Sequence, residues 1–184
     1  MASSVNALAQ PGRSPTILVV DDDPSIREVL SRMLRHDGRV VTAPCANDAL
    51  ASLEESPADV LVSDHRMPGM SGIELMEAVR RRFPDTARVL MSANCDLEST
   101  ADAINDGLIA RFVLKPWRDE ELRTVVRLAL RDRTLLRQTR AAAQDLASLE
   151  QCLRFVPAAR EAAPLLRSLR ALLLDHERRI AWGA

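Results

Sequence analysis

The chain has no tyrosine and almost no lysine. Of its 184 residues, 25 are basic, and all but one of these are arginine; the exception is Lys115. So strong a preference for arginine over lysine is typical of a bias in the codon composition of a gene. The single lysine therefore marks a position where we expect that arginine does not substitute.

Cysteine pairs, long apolar runs and a secretory leader are missing as well. The three cysteines, at positions 45, 95 and 152, form no CxxC pair, which argues against a disulfide framework or a zinc site. No apolar run approaches the roughly 18 residues that a membrane-crossing helix needs. Residues 1–15 lack the basic start and apolar stretch of a secretory signal and are predicted to form a flexible arm. We therefore expect a cytoplasmic protein with no membrane partner.

The composition fits one ordinary domain with an extension. Apolar residues make up 47% of the chain and charged residues 28%, so a buried core is expected and wholesale disorder is not. Residues 1–130 carry 15 basic and 20 acidic residues, whereas residues 131–184 carry 10 and 6. This change of sign predicts a boundary, with one domain at 16–130 and a different kind of segment at 131–184.

Short β-branched segments alternate with amphipathic ones from Thr16 onward. We predict strands at TILVV (16–20), RVVTA (39–43), VLVS (60–63), RVLMS (88–92) and RFVL (111–114). Helical spacing predicts five helices. The first begins at DDDPS and ends at Gly38, and the second begins at a cap formed by Asn47. The others run from about Gly72 to Phe83, from about Leu97 to Asn105, and onward from about Asp119. The alternation predicts an α/β fold, a doubly wound five-stranded parallel sheet with helices on both faces.

Charged and hydroxyl side chains follow the predicted strands at the edge where the carboxyl ends meet. In chain order they are Asp21, Asp22, Asp23, Asp64, Ser92 and Lys115, the last followed by Pro116. Functional groups of open parallel sheets gather at this edge. Each residue alone fits a helix cap, a turn or a surface position. Four strand ends with matched chemistry indicate one site instead.

The chemistry of this set is that of phosphoryl transfer. Carboxylates that are brought together repel one another unless they bind a cation or take up protons. An all-oxygen set without histidine or cysteine suits Mg²⁺. A lysine ammonium neutralises phosphoryl oxygens and a serine hydroxyl can donate to another, so that one carboxylate would be the nucleophile.

Four segments between about Thr16 and Leu130 resemble the motifs of response regulator receiver domains of two-component signal transduction. They are VVDDDPSIR, VLVSDHRMPGMSGIEL, VLMSA and FVLKPW, in the family's order and spacing. They correspond to its acidic pair, phosphoacceptor segment, hydroxyl segment and lysine–proline segment. The resemblance implies the flavodoxin-like (βα)5 receiver fold, here with a helical C-terminal extension.

The resemblance also implies a role for each acid. Asp64 would be the phosphoacceptor, whose carboxylate attacks a phosphohistidine on a sensor histidine kinase. Mg²⁺ would be the cofactor, held by Asp21, Asp22 and Asp64 with the backbone carbonyl of Arg66. Asp23 is expected to cap the following helix rather than to bind metal.

A switch follows from the same resemblance. Ser92 and Lys115 would contact the phosphoryl oxygens, and Pro116 would set the turn of the lysine through a cis peptide bond. Ser92 would move toward the phosphoryl group, and Phe112 would turn into the space left behind. A plain core role for Phe112 stays open, and His65 is expected to be only a rim residue.

Beyond Leu130 the pattern predicts two helices. A stripe with alternating four- and three-residue spacing continues the last helix of the domain to about residue 156, and a second amphipathic helix follows Pro157. The stripe consists of Leu135, Thr139, Ala142, Leu146, Leu149, Leu153 and Val156. Two arrangements stay open: an antiparallel pair, or a dimer or docking surface that uses the same stripe.

We therefore expect a phosphorelay response regulator that switches a protein–protein interaction or dimerisation through its helical tail. It is not expected to be an enzyme beyond its own phosphorylation and dephosphorylation, because the chain has no insert to bind a phosphoester substrate. One alternative is a transcription regulator with DNA contact by the tail, although basic residues are scattered there and no helix–turn–helix pattern appears. The other is an adaptor that works without phosphate.

Overall fold

The computed structural model of the chain describes residues 13–93, 107–153 and 162–182. The strands are β1 (Thr16–Val20), β2 (Arg39–Ala43), β3 (Val60–Asp64), β4 (Ala87–Ala93) and β5 (Arg111–Lys115). The helices are α1 (Pro24–Leu34), α2 (Ala46–Glu55), α3 (Gly72–Arg82), α4 (Asp119–Leu153) and α5 (Ala162–Trp182). The helix predicted from about Leu97 to Asn105 lies outside the described residues, as do residues 1–12 of the predicted arm. None of the described helices is long and apolar enough to span a membrane.

The five strands form one parallel sheet in the order β2-β1-β3-β4-β5, which confirms the predicted doubly wound fold. Neighbouring residues of a strand point to opposite faces. On one face Leu18 and Leu61 pack with α2 and α3, and on the other Ile17 and Val62 pack with α1 and α4. The strand order reverses between β1 and β3, so a crevice forms where these two strands end.

The starts of the first two helices have different causes. Asp23 accepts a hydrogen bond from the backbone N–H of Ser25 at 2.8 Å, as predicted for a cap of α1. The predicted Asn47 cap of α2 is wrong, because that helix already begins at Ala46. The residue before it, Cys45, makes no side-chain cap bond. Ala46, the first residue of α2, is 2% exposed and packs in the core on this face of the sheet.

The chain after residue 130 forms a helical hairpin. Helix α4 continues without a break from the sheet to Leu153, and α5 packs against its second half. Arg140 of α4 pairs with Glu177 of α5, and Glu150 of α4 pairs with Arg167 of α5. Since the partner numbers fall on α5 as they rise on α4, the helices are antiparallel. Of the two arrangements left open by the sequence, the folded-back pair is the observed one.

The buried stripe of α4 differs from the predicted one. Of the predicted members Thr139 is buried, but Leu135 and Leu149 are 37% and 52% exposed; Ala143 and Glu150, which lie outside the predicted stripe, are buried. Positions spaced by four and seven residues lie on one side of a helix, and here that side faces α5. Because Ala143, in the middle of this side, is small, α4 and α5 can approach each other closely. Leu135 and Leu149 lie outside the contact between the two helices.

Helix α3 begins against the end of β3. Gly72 donates its backbone N–H to the carbonyl oxygen of His65 at 2.9 Å, and Ser71 and Glu74 form a reciprocal capping box. A β-carbon at Gly72 would lie 2.1 Å from the carbonyl oxygen of Asp64. The glycine therefore permits the close approach that holds the Asp64 turn.

We expect Gly72→Ala to lower the free energy of unfolding by about 3 kcal/mol, because the added methyl group overlaps backbone that cannot rotate away. Gly69→Ala is the comparison, since Gly69 has a φ of 80° but no atom within 4 Å of an added β-carbon; its left-handed backbone should cost about 1 kcal/mol. Urea unfolding of both variants measures the difference. An equal loss would contradict the steric account.

Candidate functional site

The sheet brings Asp21, Asp64 and Lys115 together at its carboxyl edge. Asp64 is the last residue of β3, Asp21 follows the neighbouring β1, and Lys115 is the last residue of β5. The Lys115 Nζ lies 2.7 Å from Asp64 Oδ1 and 3.3 Å from Asp21 Oδ2. Three of the residues predicted to form the site are therefore in direct contact.

Burial and charge oppose each other at this cluster. Asp21 is 2% exposed, and its burial raises the pKa of its carboxyl, helped by the nearby Asp64, against the lowering effect of the Asp23 backbone N–H and of Lys115. Burial lowers the pKa of Lys115, but the hydrogen bond and charge of Asp64, together with Asp21, outweigh it, so that this pKa is raised. The ammonium is thus held in its charged form by two carboxylates.

The backbone holds Asp64 in place from two sides. The next residue, His65, donates its N–H to the carbonyl oxygen of Met91 on β4 at 2.9 Å. The Oδ2 of Asp64 accepts the backbone N–H of Arg66 at 3.2 Å. The side chain remains 11% exposed. One carboxylate oxygen is therefore tied to the loop and the other to Lys115, at a narrow opening to solvent.

The three consecutive acids after β1 have different environments. Asp21 is buried at the site and Asp22 is exposed. The Asp23 side chain accepts the hydrogen bond that caps α1. Arg27 donates to the carbonyl oxygens of Asp21 and Asp22 at 2.6 and 3.0 Å, which fixes the turn. Among the described residues no group of three or more His, Cys, Asp and Glu side chains is arranged so that it could hold a metal ion by itself. Mg²⁺ prefers one or two carboxylates with water and substrate oxygens, so the open oxygen set here fits that ion.

Ser92 lies at the end of β4 with a partner that the sequence did not reveal. It is 2% exposed, its hydroxyl donates to the carbonyl oxygen of Ala93 at 3.3 Å, and its Oγ lies 3.2 Å from Nδ1 of His65. His65, predicted to be only a rim residue, is thus in contact with the predicted switch hydroxyl. Its adjacency to Asp64 was the only signal in the sequence.

The last strand supplies the remaining predicted residues. The Lys115–Pro116 peptide bond is cis, as the resemblance implied. Phe112 is 38% exposed, so a plain core role for it is wrong. Trp117 is a further neighbour of the site, because the Lys115 Nζ lies 5.6 Å from the centroid of its ring.

A parallel sheet of this order, with acids after β1 and β3 and a lysine at the end of β5, is the architecture of a signal receiver. The model of the response regulator receiver domain matches residues 17–127. The chain belongs to this family, which confirms the resemblance seen in the four motifs.

Known relatives agree with this assignment over part of their length. The hydrogenase transcriptional regulatory protein HoxA of Cupriavidus necator is 36% identical over 118 residues, 64% of this chain and 24% of HoxA. The C4-dicarboxylate transport transcriptional regulatory protein DctD of Rhizobium meliloti is 32% identical, over 75% of this chain and 32% of DctD. The chain thus spans about a quarter to a third of these relatives.

A solved structure shows the same fold. The signal receiver domain of an HD domain-containing protein from Pseudomonas fluorescens is 33% identical with a TM-score of 0.65, and the match covers 72% of this chain and 98% of that one. The shared part is therefore the receiver, and most of the α4–α5 hairpin lies beyond what such a domain needs.

We expect Asp21→Asn to raise the free energy of unfolding at pH 7 by on the order of 1 kcal/mol. The pKa of Asp21 is raised in the folded state, so the unfolded chain gives up this proton more readily and the ionised carboxylate lowers stability at neutral pH. The gain should shrink as the pH falls through the raised folded pKa, and it should vanish below about 3, where the acid is protonated in both states. Urea unfolding in a chelating buffer, with the exposed Asp22→Asn as control, measures it; a loss of stability in Asp21→Asn at pH 7 would contradict the assignment.

Proposed function

We propose that the protein is a phosphorelay response regulator whose Asp64 accepts a phosphoryl group from a sensor histidine kinase. The observation that carries this proposal is the contact of 2.7 Å between Lys115 Nζ and Asp64 Oδ1. A cation at the nucleophilic oxygen is positioned to neutralise the charge of an incoming phosphoryl group. Membership of the receiver family supports the same partner.

The transfer step is a displacement at phosphorus. A carboxylate oxygen of Asp64 forms a bond to phosphorus while the bond from phosphorus to the kinase histidine breaks, and the imidazole nitrogen keeps that electron pair. With acetyl phosphate as donor, acetate leaves instead. Lys115 pairs with one phosphoryl oxygen and the hydroxyl of Ser92 donates to another. The product is an acyl phosphate on Asp64.

The residues that would hold Mg²⁺ in this proposal are Asp21, Asp22 and Asp64, with the backbone carbonyl of Arg66. The buried position of Asp21 and the exposed position of Asp22 leave oxygen ligands on one side and room for water and phosphate on the other. When bound, the ion would supply charge neutralisation for the phosphoryl oxygens.

We propose no turnover of a free phosphoester by this site. The related class with an aspartate nucleophile carries it at the end of the first strand, which here is Asp21. Lys115 lies closer to Asp64 than to Asp21, which favours Asp64 as the acceptor. The chain would then catalyse only its own phosphorylation and dephosphorylation, and would not be an enzyme in the usual sense.

Asp64→Asn should abolish labelling by radioactive acetyl phosphate with Mg²⁺, because an amide oxygen is a poor nucleophile and its acyl phosphate cannot form. Asp23→Asn is the matched control, because the Asp23 side chain caps α1 and asparagine caps a helix equally well. This control should label like the parent chain. Normal labelling of Asp64→Asn would show that the acceptor is elsewhere.

The proposed switch begins at Ser92. Its Oγ, 3.2 Å from His65 Nδ1, would leave this partner when it turns to a phosphoryl oxygen on Asp64. Phe112 is exposed in the present state and would turn inward into the vacated space. Phe112 lies on β5 and α4 follows that strand, so the change would reach the hairpin through α4.

We propose that the hairpin is the output. On α5, Leu165, Leu169 and Leu172 are 73%, 48% and 67% exposed, and spacings of four and three residues place them on one side of the helix. Such an apolar stripe on a helix is typical of a protein-binding face. Phosphorylation would change dimerisation or the binding of another protein at this face.

Transcriptional control is the second candidate, because HoxA and DctD are transcriptional regulators by name. The match covers only a part of each. Several arginines of the hairpin are already paired, Arg140 with Glu177, Arg167 with Glu150, and Arg179 within α5. These pairs reduce the charge available to DNA phosphates, so direct DNA contact by the hairpin is the less favoured form of the proposal.

Beryllofluoride with Mg²⁺ mimics an aspartyl phosphate and should change the sedimentation coefficient of the full chain, or its capture of a partner protein. The double variant Leu165→Ser, Leu172→Ser should lose that change while still labelling with acetyl phosphate. Ala171→Ser, an exposed position of the same helix outside the leucine stripe, should behave like the parent chain. An unaltered mass and an unaltered set of captured proteins would favour a phosphate-independent adaptor. Tight, salt-dependent binding to a DNA duplex would favour the transcriptional candidate.

A further inference from the structure

His65 joins the phosphoacceptor strand to the predicted switch hydroxyl. It follows the last residue of β3, whereas Ser92 lies near the end of β4. The Nδ1 of His65 is 3.2 Å from the Oγ of Ser92. Ser92 is 2% exposed, so water does not compete for its hydroxyl as it would at the surface. The contact is therefore a substantial restraint on this hydroxyl.

The single proton of the Ser92 hydroxyl already has an acceptor. The hydroxyl donates to the carbonyl oxygen of Ala93 at 3.3 Å. In the contact with His65 the Oγ therefore accepts, and the Nδ1 of the imidazole donates. A phosphoryl oxygen on Asp64 would need the same proton. Ser92 consequently has to leave its present arrangement in order to donate to a phosphoryl group.

The backbone of His65 is held on both sides, so this residue does not follow Ser92. Its N–H donates to the carbonyl oxygen of Met91, and its own carbonyl oxygen accepts from the N–H of Gly72, each at 2.9 Å. A serine side chain changes between staggered rotamers, which turns its Oγ by about 120° about the Cα–Cβ bond. Such a step takes the Oγ away from the imidazole and breaks the contact.

We propose that His65 is a positioning residue that holds Ser92 in the unphosphorylated arrangement and thereby lowers the affinity of the Asp64 site for a phosphoryl group. The inference rests on the proposed function, because it assigns a regulation to the same site. A ligand that prefers one of two arrangements binds less tightly when the other is stabilised. One hydrogen bond of ordinary strength corresponds to about a two- to tenfold change in that affinity.

Leucine and asparagine at position 65 separate the hydrogen bond from the shape of the side chain. Asparagine can place a nitrogen at the branch where histidine has Nδ1, whereas leucine has nearly the same shape and no donor. His65 is only partly buried, and its two backbone hydrogen bonds do not involve the side chain, so both variants should fold. His65→Ala is a second variant without the donor.

The probe is beryllofluoride with excess Mg²⁺, titrated into the full chain and followed by fluorine NMR, which observes the bound and the free probe directly. We expect His65→Leu and His65→Ala to bind it about two- to tenfold more tightly than the parent chain. His65→Asn should restore the affinity of the parent chain. His36→Leu makes the same change at an exposed histidine before β2 and should match the parent chain as well.

A double-mutant cycle tests whether the effect passes through Ser92. In a chain that carries Ser92→Ala, His65→Leu should leave the affinity for beryllofluoride unchanged, because no hydroxyl remains to be held. A role of His65 in packing alone would give the same change with and without this hydroxyl.

The outcomes separate this inference from the proposed function. If the parent chain shows no bound beryllofluoride, or if Asp64→Asn binds it equally well, the proposed function fails and the inference fails with it. The inference alone is overturned if the parent chain binds the probe but His65→Leu and His65→Ala bind it no more tightly. It is also overturned if His65→Asn behaves like His65→Leu, or if the Ser92→Ala chain shows the same change.

Discussion

The contact of Lys115 with Asp64 and Asp21 is the interaction on which the proposed chemistry depends. Burial raises the pKa of Asp21 at the end of the sheet, and the repulsion from Asp64 adds to this effect. One ammonium within 3.3 Å of both compensates it in part. A lysine suits this place because its charge is compact and its stem flexible, whereas a guanidinium would need the room and geometry of a planar fork.

The continuity of α4 joins this cluster to the rest of the molecule. Its first half covers the sheet through Leu122, Val126 and Ala129, and its second half packs against α5. A single helix thus contacts both the receiver core and the other helix of the hairpin.

The tail shows where prediction from the sequence ended. Its two helices were predicted from periodicity, and they form, but beside the predicted Thr139 the buried side of α4 contains Ala143 and Glu150 rather than Leu135 and Leu149. Apolar spacing identifies which residues can share a side; it does not say which side meets a partner within the same chain. Small size at Ala143 and the ion pairs across the hairpin made that choice.

The sequence by itself determined the sheet, its strands and the set of acidic, hydroxyl and lysine residues at their ends, because strand pattern and strand ends are local properties that a parallel sheet brings to one edge. Only the tertiary structure decided the contact of His65 with Ser92 and the start of α2 at Ala46. These depend on distances between segments far apart in the chain. No local pattern encodes such distances, since they follow from how the helices pack on the finished sheet.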